Sequence, residues 1–221
     1  MKYFRIHGIE TIFNIENGNI YNLEIENSNF FIEVVNAIFE NDNEKLLYMS
    51  NNELKDFNKN SLFVYDIFSS EINSKKTISS LYKKINDKIV SNEEKLDLLK
   101  INTLSLELLQ KIANKLDVCT NFEDEIDIIQ FLSLYKFIYE EDNTTLFNKF
   151  IDLIKANLEI KDFSFIITIN ILSLFSDENI RLLKKELEYM NMTLINIEHI
   201  NRIDKNNDVY RVIIDKDLCE Y

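Results

Sequence analysis

The sequence has almost no glycine and no proline, and this shortage excludes several kinds of binding site. It holds two glycines and no proline in 221 residues, where average usage would give roughly 15 and 11. Phosphate loops of the GxxxxGK[ST] and GxGxxG types and the GxSxG nucleophile elbow all need glycine where the backbone approaches a ligand or turns sharply. With only Gly8 and Gly18 available, the chain cannot form any of these motifs.

Histidine, cysteine and long apolar runs are also scarce. Cys119 and Cys219 lie far apart with no partner motif, so we expect reduced, structurally incidental thiols, and with only His7 and His199 a Cys/His zinc site is not expected. No apolar run approaches the roughly 20 residues of a membrane span, and the first ten residues lack the apolar core of a signal peptide. These absences predict a globular protein in the cytoplasm.

The apolar spacing predicts an α/β protein whose sheet-forming parts lie at the two ends of the chain. Asn17-Gly18 between two alternating segments predicts a β-hairpin, and an apolar, β-branched run over 62–68 predicts a strand buried in a sheet. From Asn73 onward a helical period replaces the alternation, until a βαβ pattern begins at 163. We therefore predict a discontinuous α/β head domain over 1–73 and 161–221, with an inserted α-helical leg domain over 74–160.

Capping residues set the predicted starts of the helices. Ser91 to Glu94 has the S-x-x-E pattern of a capping box, and Ser, Thr, Asp and Asn are the preferred N-cap residues. The other predicted elements are strands at 11–15, 20–25, 45–49, 163–171, 194–197 and 210–214, and helices starting after Asn27 or Ser28, after Ser74, at Asp124, at Thr144 and after Ser176.

Basic residues are concentrated in one part of an acidic chain. The formal net charge is −13, and only the segment 41–90 is net positive, with eight lysines and seven acids. Its lysines either form a local basic surface or belong to ordinary solvated faces, and composition alone favours the second, because lysine is common on helix surfaces and the segment holds no arginine that would mark base-specific contacts. These residues are Lys45, Lys55, Lys59, Lys75, Lys76, Lys83, Lys84 and Lys88.

Acidic residues cluster in a second place. The carboxylates are those of Asp117, Glu123, Asp124, Glu125 and Asp127. Hard oxygen ligands this close together could hold Ca²⁺ or Mg²⁺, although the spacing is not that of an EF-hand loop. The residues alone favour a structural role, because acids in the first turn of a helix complement its dipole and satisfy free N–H groups.

Several ordered segments resemble one protein family. The strand Leu62-Phe63-Val64-Tyr65-Asp66-Ile67 running into Glu71-Ile72-Asn73-Ser74 carries the resemblance, and further blocks follow in the same order. These are Asp124-Glu125-Ile126, Thr145-Leu146-Phe147-Asn148-Lys149, Phe165-Ile166-Ile167-Thr168-Ile169-Asn170, Leu174-Phe175-Ser176-Asp177-Glu178 and Asp215-Lys216-Asp217. The chain resembles the Csn-two family, the ring-forming DNA-end-binding proteins of type II-A CRISPR adaptation modules. Around 120–123 it is about three residues longer than the family pattern.

The resemblance implies a non-catalytic protein. Its head would resemble a P-loop nucleotide-binding domain without the phosphate loop and so bind no nucleotide, and its homotetrameric ring would hold double-stranded DNA ends. It would support spacer acquisition together with the integrase and the effector nuclease, and bind Ca²⁺ near the junction of head and leg. It would have no membrane partner.

If the chain forms such a ring, the net-positive segment supplies the candidate DNA contacts. Lys45, Lys55 and Lys59 are the leading candidates, followed by Lys75, Lys76, Lys83 and Lys84. For calcium, the resemblance reverses the preference above and implies Asp124 and Glu125 as ligands, supported by Glu123, Asp127 and Asp117. Two alternatives remain at this stage, a metal-dependent nuclease that uses the 117–127 carboxylates and an α/β scaffold that binds only proteins.

Overall fold

The computed structural model describes residues 2–141, 144–199 and 208–221. The chain divides into a first unit, Met1–Glu71 with Glu141–Tyr221, and a second unit, Ile72–Glu140. In chain order the elements are β1 (Lys2–Ile6), β2 (Phe13–Asn14), β3 (Ile20–Ile25), α1 (Ser28–Glu40), β4 (Leu46–Ser50), β5 (Glu53–Lys55), α2 (Phe57–Asn60), β6 (Ser61–Val64), α3 (Lys75–Lys84), α4 (Asn92–Ala113), α5 (Ile128–Leu134), α6 (Leu146–Ile160), β7 (Phe165–Ile169), α7 (Asp177–Met190), β8 (Thr193–Glu198) and β9 (Tyr210–Ile214).

The first unit contains a parallel sheet of five strands in the order β6-β7-β8-β3-β9 and a smaller antiparallel sheet in the order β2-β1-β4-β5. Every residue of β3 and β8 is buried. Strands of parallel sheets are covered on both faces and therefore have continuous apolar runs, which is why these segments show little alternation. The α/β class predicted from the sequence is confirmed.

One apolar core joins the two sheets of the first unit. Phe4 of β1 and Tyr48 of β4 both pack against Phe165 of β7, with ring centroids 5.2 and 5.0 Å apart. Helix α1 adds Val34, Ala37 and Ile38 to the same cluster. Each buried aromatic ring removes a large apolar area from water, so this cluster is the principal packing centre of the unit.

The predicted hairpin around Asn17-Gly18 is wrong. The strand before the turn, β2, pairs with β1, whereas β3 after it pairs in parallel with β8 and β9. The turn itself exists, because Gly18 has φ of 79° and a Cβ there would collide with the side chain of Glu188. Its Gly18 N–H donates to Met192 O at 2.9 Å, so the turn connects two sheets. The local sequence does not indicate that the strands on either side of this turn belong to different sheets.

Three further boundaries differ from expectation. The buried strand predicted over 62–68 is the shorter β6, and it lies at the edge of its sheet. The helix expected from Asp124 begins at Ile128. Helix α6, placed in the leg by the sequence, belongs to the first unit, where its Phe150 is fully buried and packs near Phe175, with 5.7 Å between ring centroids.

The second unit consists of α3, one π-helical turn over 85–89, α4 and α5. Tyr82 Oη donates to Leu132 O at 3.3 Å and Asn102 Nδ2 donates to Ile126 O at 3.0 Å, which ties α5 and the segment before it to α3 and α4. Among the 22 residues of α4, only Leu98 and Asn102 are buried. None of the described helices has the length and apolar character needed to cross a bilayer.

Candidate nucleic-acid interface

Three of the predicted DNA-contacting lysines lie around the short helix α2 of the first unit. Lys55 ends β5 immediately before the N-cap residue of α2, and Lys59 lies within the helix. Lys45 precedes β4, and its segment meets α2 through the hydrogen bond from Phe57 N–H to Asn43 Oδ1, 3.3 Å. Lys55 and Lys59 therefore lie at α2, whereas Lys45 lies on the neighbouring segment with its ammonium group directed to Glu33 of α1.

Each of these lysines has an acidic neighbour. Lys45 Nζ is 2.7 Å from Glu33 Oε1, Lys55 Nζ is 2.5 Å from Glu53 Oε2, and Lys59 Nζ is 3.8 Å from Asp56 Oδ2. The hydrogen bond to Glu33 raises the pKa of Lys45, and the hydrogen bond from Lys55 lowers the pKa of Glu53. The region is therefore a set of exposed ion pairs. Such pairs contribute little to stability and exchange partners readily.

Two lysines that the sequence did not single out join this region. Lys161 Nζ donates to Asn58 O at 2.7 Å and to Ser61 O at 3.0 Å, so its ammonium group lies against α2 and the start of β6. Lys2 Nζ donates to Ser164 Oγ at 3.3 Å, and Ser164 N–H in turn donates to Asn60 O at 2.7 Å. We call Lys2, Lys45, Lys55, Lys59 and Lys161 the lysine surface. Its members come from three distant parts of the chain.

The remaining predicted lysines belong to the second unit and form no single group. Lys75 and Lys76 lie in the first turn of α3, and Lys83 and Lys84 lie in its last. Eight residues of helix separate the two pairs by about 12 Å. Lysines in a last turn interact favourably with the helix dipole, so Lys83 and Lys84 also have a structural role.

The turn where nucleotide-binding domains carry their phosphate loop is occupied by the protein itself. Only Glu26 and Asn27 separate β3 from α1. Asn27 Oδ1 accepts hydrogen bonds from Asn29 N–H and Phe30 N–H, both at 3.1 Å. These amides at the helix N-terminus are the groups that would otherwise bind a phosphate. A two-residue turn also lacks the length of a GxxxxGK[ST] loop.

The acidic segment is not arranged as a metal centre. Asp127 is the N-cap residue of α5 and forms a capping box with Gln130, whose Nε2 also donates to Glu123 Oε2 at 3.3 Å. Asp117, Asp124 and Glu125 are exposed in an irregular segment. Within the described ranges, no three His, Cys, Asp or Glu side chains come together in a way that could hold a metal ion. The carboxylates as placed do not fit a Ca²⁺ ion, so its binding would require this segment to rearrange.

These features define a class: a two-unit α/β protein with a five-stranded parallel sheet, no phosphate loop between β3 and α1, and an inserted helical unit. The sequence model of the CRISPR-associated protein family Cas_Csn2 matches residues 38–218. The chain belongs to this family, the Csn-two family, and the resemblance inferred from its sequence is confirmed.

Known structures agree with this fold. The chain is similar to the crystal structure of Stu0660 of Streptococcus thermophilus, with 15% sequence identity and a TM-score of 0.52 over 97% of this chain and 74% of that chain. At this identity the likeness bears on the fold alone. No match was found among curated proteins.

Proposed function

We propose that this chain binds the ends of double-stranded DNA without sequence preference, as a non-catalytic homotetrameric ring that supports spacer acquisition in CRISPR adaptive immunity. The observation that carries the proposal is the placement of lysines at α2 and on the segments that adjoin it, in a protein of a CRISPR-associated family. Its partners in the cell would be the spacer integrase and the effector nuclease, in the cytoplasm. No membrane or nucleotide partner is proposed.

The lysine surface suits phosphate contacts made by partner exchange. Its ion pairs are exposed, so a DNA phosphate can replace a carboxylate with little loss of protein stability. Contacts of this kind position the duplex and carry no sequence information. In the absence of DNA, the acidic neighbours hold the lysine side chains and reduce attraction to other polyanions.

The overall negative charge limits the distance over which this surface acts. A tetramer of chains with charge −13 carries 4 × −13 = −52, which repels DNA at long range. At physiological salt the Debye length is about 8 Å, so a phosphate near the lysine surface is influenced mainly by the lysines. Fourfold repetition in a ring would multiply each contact. Binding should therefore weaken steeply as salt increases.

The second unit offers a surface for self-association. Helix α4 exposes a row of apolar side chains at helical spacing, with Leu104 66% and Leu108 58% exposed. The others on this helix include Leu96, Leu99, Ile101, Leu109 and Ile112. Exposed apolar area on this scale is unusual for a monomer and typical of an interaction surface. It supports a second copy of the chain as the occupant, in keeping with the proposed ring.

We also propose that the acidic segment binds Ca²⁺ after a rearrangement that brings its carboxylates together. Asp124 and Glu125, with Glu123, Asp127 and Asp117, carry five negative charges within eleven residues. A bound dication would relieve their repulsion and favour whichever arrangement gathers them. This would give Ca²⁺ a role in stabilising one conformation of the ring.

A comparison of linear with closed circular DNA tests the proposed function. In a mobility-shift assay at low salt, the protein should retain linear duplex and fail to retain a relaxed circle of the same sequence, because a ring can be threaded only by an end. Equal retention of both would contradict end binding and favour an open basic surface. Retention of neither would favour a protein-only scaffold, and cleavage of the linear DNA in Mg²⁺ or Mn²⁺ would favour the nuclease.

A further inference from the structure

A row of polar side chains is buried in the centre of the parallel sheet. Asn22 of β3, Asn196 of β8 and Thr168 of β7 lie side by side in the strand register, and each has no exposed area. Two residues further along their strands, Glu24 and Glu198 are paired in the same way and are each 1% exposed. Adjacent parallel strands thus carry the same Asn-x-Glu pattern in register.

Most of this row is satisfied by its own hydrogen bonds. Asn196 Nδ2 donates to Asn22 Oδ1 at 2.6 Å, and Asn22 Nδ2 donates to Glu24 Oε1 at 2.9 Å. Asn196 Oδ1 accepts from Thr168 Oγ1 at 2.7 Å. Arg211 of β9 donates to both carboxylate oxygens of Glu24, at 2.9 and 2.8 Å. Glu24 therefore has a guanidinium partner matched to its charge.

Within the described residues, Glu198 has no such partner. Its Oε1 accepts from Asn196 Nδ2 at 3.0 Å and from Ser173 N–H at 3.1 Å. Its Oε2 is buried and lacks a hydrogen-bond partner in the described part of the chain. Buried polar atoms are nearly always paired, and a buried carboxylate without a counter-charge is among the costliest groups in a folded protein.

On the side of β7, the described neighbours of Glu198 are neutral. On β7, Ile169 lies opposite Ile197, and the next residue along is Asn170. Ser173, which contacts Glu198 through its N–H, also donates its hydroxyl to Asn170 O at 3.2 Å. Glu24 lies opposite Glu198 on β3, but its charge is matched by Arg211. One negative charge therefore remains, which suits a singly charged hard cation better than a divalent ion, since divalent ions favour several free carboxylates.

We propose that Glu198 Oε2 binds a small monovalent inorganic cation, Na⁺ or K⁺, at the carboxyl ends of β7 and β8. The cation does for Glu198 what Arg211 does for Glu24. It gives each of the two Asn-x-Glu patterns one positive partner, so that the buried row contains two carboxylates and two cations. The carboxyl ends of parallel strands are the usual place for ligands in α/β sheets.

The test is thermal unfolding in different chloride salts at one ionic strength. A cation that binds only the folded protein stabilises it in a saturable way. In NaCl or KCl at about 0.2 M, Tm should be about 3 °C higher than in choline chloride, whose cation is too large for the site. Glu198→Gln should remove this difference. Its matched control is Glu24→Gln, which should lower Tm in every salt and keep the difference.

Two further measurements keep the proposal open to refutation. Glu198→Asp retains the charge on a shorter side chain, so this variant should require a higher salt concentration than the wild type for the same increase in Tm. It replaces Glu198→Gln as the test variant if Glu198→Gln does not fold. Equal Tm for the wild type in all the salts would overturn the proposal, as would a difference that Glu198→Gln retains. A Glu198-dependent rise with Mg²⁺ or Ca²⁺ alone would overturn the monovalent assignment. None of these results depends on DNA binding.

Discussion

Arg211 and Glu24 form a two-pronged ion pair across adjacent parallel strands, with Nε 2.9 Å from Oε1 and Nη2 2.8 Å from Oε2. The carboxylate is 1% exposed and the guanidinium side chain 20%. The hydrogen bonds to Glu24 raise the pKa of Arg211. This pair fixes β9, the last strand of the sheet, to the strand at which the chain first enters it.

Removal of Arg211 should therefore leave a buried, uncompensated charge. Arg211→Met is expected to lower the free energy of unfolding by about 3 kcal/mol, measured by urea denaturation. The control is Arg181→Met, since Arg181 is 71% exposed and lies 3.9 Å from Asp208, so its loss should have little effect. Equal stability of the two variants would mean that Glu24 finds another partner.

The lysine surface is tested by charge reversal. Lys55→Glu with Lys59→Glu should weaken binding of linear duplex, and the dependence of log K on log salt should become shallower by about 0.9 for each phosphate that the variant no longer neutralises. The matched control is Lys100→Glu on α4, an exposed lysine 2.8 Å from Asp97 and not part of the lysine surface. If the slope stays as in the wild type, these lysines do not contact DNA.

Lys161 should behave differently from the other lysines, because its ammonium group also holds α2 through two carbonyl oxygens. Lys161→Arg retains the charge and should keep DNA affinity within about threefold, whereas Lys161→Gln should weaken it about tenfold, a difference of the order expected for an interaction with a charged group. Fluorescence anisotropy with labelled linear duplex measures both. Equal affinity of Lys161→Gln and the wild type would remove Lys161 from the interface.

The apolar row on α4 predicts the assembly state. Leu104→Glu with Leu108→Glu places two charges one helical turn apart on the exposed face, so the proposed oligomer should dissociate while far-ultraviolet circular dichroism stays unchanged. Sedimentation velocity measures the change. Leu182→Glu on α7 of the first unit, where the side chain is 42% exposed, is the control and should leave the assembly intact.

Calcium binding should be accompanied by ordering of the acidic segment. Since its carboxylates form no metal centre in the described structure, uptake must gather them, and hydrogen exchange across 114–127 should slow when Ca²⁺ is added. Asp124→Asn with Glu125→Gln should abolish the heat of Ca²⁺ binding in calorimetry. If Ca²⁺ neither slows hydrogen exchange nor produces a heat of binding in the wild type, this segment contains no calcium site.

Local signals in the sequence predicted most elements correctly. Asn27, Ser74, Ser91 and Ser176 are the N-cap residues of their helices, because capping depends on a side chain and amides only two or three residues away. The strands of the βαβ pattern were also predicted, because their apolar runs are local features of the sequence. The pairing of β2 was not, since it depends on which distant strand meets it.

The site was less predictable than the fold. Lys55 and Lys59 are close in sequence and could be grouped, but Lys2 and Lys161 reach α2 only through tertiary folding. In the acidic segment, nearness in sequence predicted a calcium site, and this stays a prediction; the sequence did not indicate that Asp127 caps α5. Glu198 is an acidic residue at the end of an apolar strand, which is visible in the sequence. Its burial beside a matching Asn-x-Glu pattern in β3 is visible only in the strand register of the structure.

The buried polar row also determines how the strands are aligned. If β8 slid by two residues along β3, its apolar side chains would keep to the same face, so apolar burial alone would not distinguish the two alignments. In the shifted alignment Asn22 would face Leu194 and be left without its amide partner. The hydrogen bond between Asn22 and Asn196 thus selects one alignment of the two strands during folding, much as a single buried asparagine sets the register of a coiled coil.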